Sequence, residues 1–300
     1  MANRFAHSIH ETKNSELKAI ASTNNDRLKN FGDTHDINSK YRFNSYDDIL
    51  NCNDINSIYI STLNNTHADI IIRTIQAKKN VLCEKPITTS FSETTKIFEK
   101  LNDSNVFFLE AIAYRTHPQT QFVLNKIKEN EIGEVKKIVS TFGYHTRKID
   151  PKSRIFNPRL GGGAILDVGC YPVSFSTLIA NLVEENILSK PEIFDVSGSF
   201  CNTGVDEYAH ATLKFKNGII AKVGAGIRLN MNNETIIEGT KGKIFVRNPW
   251  LPEKKSLVEI TTNKGYYKSF VNSSKSIFAN QIHVASQLIL DGEKEGKYPA

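Results

Sequence analysis

This chain is poor in the residues that would mark a small stapled or metal-built domain. Its 300 residues hold only four cysteines, one tryptophan and two methionines. Cys52, Cys83, Cys170 and Cys201 lie far apart, with no C-x-x-C spacing and no histidine at metal-ligand distance. That argues for reduced thiols over a disulfide framework or a zinc site, and no metal is expected. The first residues, Met1-Ala2-Asn3-Arg4-Phe5-Ala6-His7, contain no apolar core of signal-peptide length. No run approaches the roughly 18 apolar residues of a membrane helix. The expectation is a cytoplasmic protein with no membrane partner. The net charge is +6 and the pI about 9.0, yet basic runs are missing as well. Lysines occur at most in doublets such as Lys78-Lys79 and Lys136-Lys137, without interleaved aromatics. Dispersed charge of this kind reads as a solvated surface that mildly steers an anionic small molecule, and nucleic acid is not expected.

What is present is ordinary for a globular protein, with 39% apolar and 23% charged residues, and the length suits two domains. Over residues 1–112 short apolar runs at 17–21, 57–61, 80–83 and 106–109 read as strands. Helical patterns near 24–31, 45–52, 66–78 and 90–102 separate them, the last with Ser90 or Ser92 as its cap. Strands spaced by crossover helices predict a doubly wound parallel sheet. A helix at about 118–130 follows, and after Gly133 the pattern turns β-rich: 134–145, 193–200, 208–216, 218–228, 233–239 and 243–247. Asn217-Gly218 is a hairpin signal, Lys241-Gly242 suggests another turn, and one apolar helix lies near 172–183. The fold class is therefore α/β: a Rossmann-type domain over 1–112, then an α+β domain over 113–300 with an open, mainly antiparallel sheet.

Two motifs carry chemistry. Glu84-Lys85-Pro86 ends an apolar strand with a lysine, and doubly wound sheets bind ligands at the carboxyl ends of their strands. Some 80 residues later, Gly161-Gly162-Gly163-Ala164-Ile165-Leu166-Asp167-Val168-Gly169-Cys170-Tyr171 places a carboxylate and a phenol four residues apart. On a helix the two would share a face. Pro172 belongs in a first helical turn, so the pair also fits a turn that leads into the helix. Lysine, tyrosine and aspartate are the residue types that move a proton while a hydride moves elsewhere.

In this order, the motifs resemble those of the Gfo/Idh/MocA family of NAD(P)-dependent sugar and polyol oxidoreductases. Glu110-Ala111-Ile112-Ala113-Tyr114-Arg115-Thr116-His117-Pro118 is similar to the family's E-A-x-x-Y-R-x-H-P segment, and Ile132-Gly133-Glu134-Val135 to its entry into the second domain. The resemblance runs over nearly the whole chain and leans toward the dihydrodiol and xylose dehydrogenase branch. It implies Lys85 and Tyr171 as the proton-handling pair, with Asp167 orienting the substrate hydroxyl or the lysine. On the cofactor side it implies Ser22 and Thr23 after the second strand, Thr62, Asn64 and His67 in the turn from Ser61 to His67, and Glu84, Lys85 and Glu110 at strand ends. Leu63 stands where the family has proline, and His67 reads as a cap more readily than as a catalyst. Tyr114, Arg154 and Gly163 are the expected substrate contacts, with the glycines as a hinge. The cofactor is NADP or NAD: Ser22 is not acidic, which favours NADP, and Thr23 is not the arginine of many NADP users. The expected activity is hydride transfer between NAD(P) and a CH–OH carbon of a sugar, cyclic polyol or dihydrodiol, in a homodimer or homotetramer.

A dinucleotide fold normally opens with an apolar strand and G-x-G-x-x-G. Neither stands here, and residues 1–9 resemble the helix that follows that loop. Three or four buried side chains of a central strand are worth roughly 5–10 kcal/mol. The expectation is thus a gene fragment or a start assigned to an internal methionine, with Gly296–Ala300 as the loop before a further helix. The alternative is a non-catalytic sugar-binding or regulatory paralogue that has lost the dinucleotide loop.

Overall fold

The computed structural model of the chain describes residues 1–183 and 190–295. Contacts divide the chain into two compact units, Met1–Ala111 with the segment from Phe278, and Ile112–Ile277. The second unit closes at Ile277, and the segment from Phe278 groups with the first. The closing helix joins the first unit because Ile282 and Ala285 bury with Phe5, Leu82 and Phe107. The loop expected at 296–300 lies outside the described residues.

The first unit opens with α1 (Ala2–Ile9), whose Phe5, Ala6 and Ile9 bury on one face. Then come β1 (Ile20–Ala21), α2 (Asn25–Thr34), β2 (Arg42–Phe43) and α3 (Tyr46–Asn51). The Asn24 side chain starts α2 by accepting from the Arg27 N–H. β3 (Ser57–Ile60), α4 (His67–Gln76), β4 (Asn80–Glu84), α5 (Phe91–Asn102) and β5 (Phe108–Ala111) complete the alternation. Ser90 is the cap of α5: it accepts from the Glu93 N–H, and Glu93 accepts in return from the Thr89 N–H. Strands β3, β4 and β5 pair in parallel. β4 is near-continuously apolar because both its faces are covered: Val81 and Cys83 pack with Ile71 and Ile97, and Leu82 with Phe5 and Ile282.

The parallel sheet is in two pieces, β1-β2 and β3-β4-β5. Residues 17–21 and 56–62 line one cavity of about 540 Å³, together with Phe5 and Ile9 of α1 and Ile282 of the closing helix. Only two of the five residues expected in the first strand make ladder bonds, since β1 pairs with β2 alone.

In the second unit α6 (Pro118–Lys128) leads to β6 (Val135–Gly143). One π-helical turn, Ile165–Gly169, runs directly into α7 (Cys170–Val183). Strands β7 (Glu192–Phe200), β8 (Asp206–Lys214), β9 (Ile220–Gly226), β10 (Glu234–Gly239), β11 (Gly242–Arg247), β12 (Lys255–Thr262) and β13 (Gly265–Asn272) follow. They form one eight-stranded sheet in the order β13-β12-β11-β10-β6-β9-β8-β7, antiparallel except for β6 and β9. Both expected turns form: Gly218 takes φ +82° between β8 and β9, and Thr240-Lys241 link β10 to β11. The sequence reading omitted β12 and β13. The stretch Pro158–Leu182, which ends in α7, is apolar and long enough to cross a membrane by length and composition. Two thirds of its most apolar window (67%) is buried inside the protein, as a core helix requires. The last helix, α8 (Ile277–Leu290), returns to the first unit.

Candidate active site

In the first unit the expected residues gather at the carboxyl ends of the parallel strands. Lys85 follows the last residue of β4, ahead of a cis peptide to Pro86, and is half-buried. Three side chains brace the turn that carries it. The buried His67 ring donates from Nδ1 to the Pro86 carbonyl at 2.8 Å, and its Nε2 lies 3.3 Å from the Thr62 carbonyl. Burial holds the His67 pKa below the ordinary imidazole value, so the ring is neutral at pH 7. Glu110 accepts from the Ile87 N–H at 3.1 Å. Glu84 accepts from the Tyr59 hydroxyl at 2.5 Å, and Tyr59 stacks on Phe5 with ring centroids 3.6 Å apart.

Several expectations change here. His67 is not a helix cap: Thr66 precedes α4 as its cap residue, and the ring instead bridges the Pro86 carbonyl of the lysine turn and the Thr62 carbonyl of the β3–α4 loop. Glu84 does not line a cleft: it is 5% exposed, and burial raises its pKa. Glu110 acts on the backbone of the Lys85 turn. Thr62 shares a 2.7 Å hydroxyl contact with Thr66, and Asn64 is buried. Ser22 exchanges hydrogen bonds with the Asn24 backbone at the start of α2, and Thr23 is exposed.

The second unit holds the phenol motif. Tyr171 is the second residue of α7 and Pro172 the third, so the proline sits in the first turn, where its missing N–H costs nothing. Tyr171 is 9% exposed in an aromatic box with Phe142 at 5.2 Å, Trp250 at 5.9 Å and Tyr114 at 6.1 Å. Tyr114 is fully buried, with its hydroxyl 2.7 Å from Ser174 Oγ, and burial raises its pKa. It is therefore a wall of the box and not an open substrate contact.

Asp167 lies in the π turn, 5% exposed. One carboxylate oxygen accepts from Tyr144 Oη at 2.5 Å and the other from Arg154 Nη1 at 2.9 Å. Within its own unit Asp167 is thus paired with an arginine and a tyrosine. The glycines have a packing explanation instead of a hinge. A Cβ on Gly162 would stand 2.5 Å from the Ile155 carbonyl, and one on Gly163, at φ +115°, would stand 2.0 Å from Asp206 Oδ1. Asp206 uses its other oxygen to accept from the Ile165 N–H at 2.7 Å. These contacts fix the loop that carries Arg154 against the turn that carries Asp167. The sequence reading missed Tyr59, Phe142, Tyr144 and Trp250. Trp250 alone had a signal, as the single tryptophan of the chain.

Comparison with known proteins decides the family. A model described as an oxidoreductase family with an NAD-binding Rossmann fold matches residues 1–111, and a GFO/IDH/MocA C-terminal domain model matches residues 120–245. The chain belongs to the Gfo/Idh/MocA family. A trans-1,2-dihydrobenzene-1,2-diol dehydrogenase of Xenopus tropicalis is 32% identical over 238 residues, 79% of this chain and 69% of the relative. A D-xylose 1-dehydrogenase (NADP(+)) of Haloferax volcanii is 28% identical over 82% of this chain and 72% of its own length. Among solved structures, a 3-ketoreductase from Actinomadura kijaniata in complex with NADP and TDP-benzene superposes with TM-score 0.83 at 23% identity, covering 98% of this chain and 87% of its own. An aldose-aldose oxidoreductase from Caulobacter crescentus gives 0.86 at 20%, covering 97% and 87%. At those identities the two structures show the fold.

As a Gfo/Idh/MocA member the chain is an NAD(P)-dependent oxidoreductase. Polar side chains suited to a dinucleotide, those of Ser22, Thr62, Asn64 and Lys85, follow parallel strands, at the strand ends where doubly wound sheets take nucleotides.

Proposed function

We propose that this oxidoreductase acts on a CH–OH carbon of a sugar, cyclic polyol or dihydrodiol, and that Lys85 and Tyr171 carry its proton chemistry. The observation that carries this reading is the Lys85 turn. Three side chains, His67, Glu110 and Glu84, surround a lysine that ends a parallel strand, and all three hydrogen-bond the turn's backbone. A surface Lys-Pro turn needs no such bracing. When bound, NADP or NAD supplies the hydride acceptor; Ser22, Thr23, Thr62, Asn64 and Lys85 would hold it. Lys85 presents an ammonium that hydrogen-bonds the oxygen of the reacting carbon and stabilises negative charge as it forms. Tyr171 gives or takes the hydroxyl proton, and its aromatic box of Tyr114, Phe142 and Trp250 keeps water from the phenol. The Arg154–Asp167 pair supplies a polar contact for the rest of the substrate.

The relatives support this substrate class, one a dihydrodiol dehydrogenase and one a xylose dehydrogenase. They do not support the non-catalytic paralogue. Cytoplasmic location and a homodimer or homotetramer belong to the same proposal; exposed Ile193, Val196 and Phe200 on β7, with Tyr266 and Phe270 on β13, offer apolar surface for self-association. The test is a fluorescence titration with NADPH and NADH, then a screen of neutral sugars, polyols and dihydrodiols by absorbance of the reduced cofactor. Saturable binding and turnover of one of these classes support the reading; binding of neither nucleotide overturns it.

A further inference from the structure

Tyr144 enters the site from a direction the sequence did not show. It follows the last residue of β6, and its N–H donates to the Gly226 carbonyl at 2.9 Å, so the backbone of β9 fixes where the side chain starts. Its ring packs with Phe142, Ile149 and Ile155 against a core of Phe156, Val168 and Ile227. The hydroxyl then donates to the buried Asp167 carboxylate at 2.5 Å, a charge-assisted bond of the short kind. On the other oxygen stands Arg154, whose side chain is 47% exposed while that of Asp167 is 7% exposed. Arg154 has little freedom at its base. The carbonyl of its neighbour Ile155 accepts from the Gly163 N–H at 3.0 Å, and Phe156 anchors the loop at 1% exposure. A buried carboxylate held from two sides thus presents a half-exposed guanidinium from a fixed loop.

We propose that Tyr144 is a positioning residue: its hydroxyl sets the Asp167 carboxylate, which holds the Arg154 guanidinium as a pre-arranged receptor for the oxygens of the substrate. This deepens the proposed function and rests on its reading of Arg154 as a substrate contact. The planar fork suits two neighbouring oxygens. Because Asp167 balances the arginine charge, the pair favours neutral vicinal hydroxyls over a phosphate or carboxylate. Without the phenol hydroxyl, Asp167 loses one of its hydrogen bonds and the carboxylate turns, carrying the guanidinium with it. Substrate binding then weakens, while proton transfer at Tyr171 is untouched.

The experiment uses the whole chain and the best neutral substrate from the screen, with Tyr144→Phe, Arg154→Ala and the double variant. Loss of one charge-assisted hydrogen bond predicts a KM raised roughly 10- to 150-fold by Tyr144→Phe, with kcat within about twofold. If Tyr144 acts through Arg154, the double variant has the KM of Arg154→Ala alone. Additive effects on KM, or a fall in kcat at unchanged KM, would overturn the proposal. A second readout needs no turnover: the side-chain NMR signal of ¹⁵N-labelled Arg154. We expect slow proton exchange in the parent chain and fast exchange in Tyr144→Phe; equal exchange in both overturns the link. Should Tyr144→Phe not fold, Asp167→Asn replaces it in this readout, and slow exchange retained there overturns the link equally. A chain that turns over no substrate but shows the exchange difference refutes the activity and leaves the Tyr144–Asp167–Arg154 linkage standing.

Discussion

Tyr59 and Glu84 allow a perturbation whose size and pH dependence both follow from the structure. Tyr59→Phe keeps the ring that stacks on Phe5 and deletes only the hydroxyl that donates to Glu84 at 2.5 Å. Glu84 is 5% exposed, so water cannot replace the bond at low cost. A hydrogen bond to a charged group is worth about 1.5–3 kcal/mol. Burial raises the Glu84 pKa, while the Tyr59 bond and the Lys85 charge oppose that rise. A carboxylate with a raised folded pKa favours folding most at low pH, where both states are protonated, and that contribution is lost as pH rises through the folded pKa. Removing the hydroxyl lifts the folded pKa further. The loss should therefore reach about 1.5–3 kcal/mol at pH 7.5 and shrink toward pH 4. Circular-dichroism melts should show a drop of roughly 3–12 °C at pH 7.5, and hydrogen exchange should place the loss in β4. A Glu84→Gln background should remove most of the pH dependence. A loss below about 0.5 kcal/mol at pH 7.5, or one of equal size at pH 4 and 7.5, would refute the reasoning.

Other consequences are equally direct. Gly163→Ala forces a Cβ to within 2.0 Å of Asp206 Oδ1 at φ +115°; we expect a loss of roughly 1–3 kcal/mol in denaturant unfolding, a size typical of backbone strain. His117 is fully buried, accepts from the Gln119 N–H at 3.1 Å, and burial lowers its pKa to about 4. A histidine with a lowered folded pKa loses stability as pH falls, so roughly 3 kcal/mol should disappear between about pH 6.5 and 4 at about 1.4 per unit. His117→Asn, still able to cap α6, should flatten that dependence in unfolding curves at pH 4.5 and 7. Tyr114→Phe should disturb the box only by its lost hydroxyl contacts to Ser174 and Arg115, costing about 1–2 kcal/mol in thermal unfolding with little effect on kcat.

The alternation of apolar runs and helical patterns made the first unit legible, because a strand such as Asn80–Glu84, covered on both faces, cannot be mistaken for a surface segment. Turn chemistry made the β8–β9 hairpin legible through Asn217-Gly218. β12 and β13 escaped because Lys255–Thr262 mixes charge and hydroxyls into its apolar alternation, and Tyr266-Tyr267-Lys268 on β13 is an exposed face with no inward pattern. The return of α8 to the first unit is a long-range packing choice, made by Ile282 and Ala285 against Phe5, which no local pattern encodes. At the site, residue types were legible and their partners were not. Asp167 and Arg154 were both singled out, but their pairing, and the role of Tyr144 on the opposite oxygen, depend on a loop closed by glycine contacts. His67 and Glu84 are buried, and with the half-buried Glu110 they stand around the lysine turn, a placement that residue type alone does not encode.

The central claim is that Lys85 and Tyr171 carry the proton chemistry of an NAD(P)-dependent oxidation. The measurement that tests it most directly is kcat/KM for Lys85→Ala and Tyr171→Phe beside the parent chain, on the best substrate of the screen, with cofactor affinity measured for each. The account predicts a loss of roughly 10²- to 10⁴-fold in each variant, with Tyr171→Phe retaining the parent's affinity for the reduced cofactor and both retaining its fold. Two variants as active as the parent would contradict it.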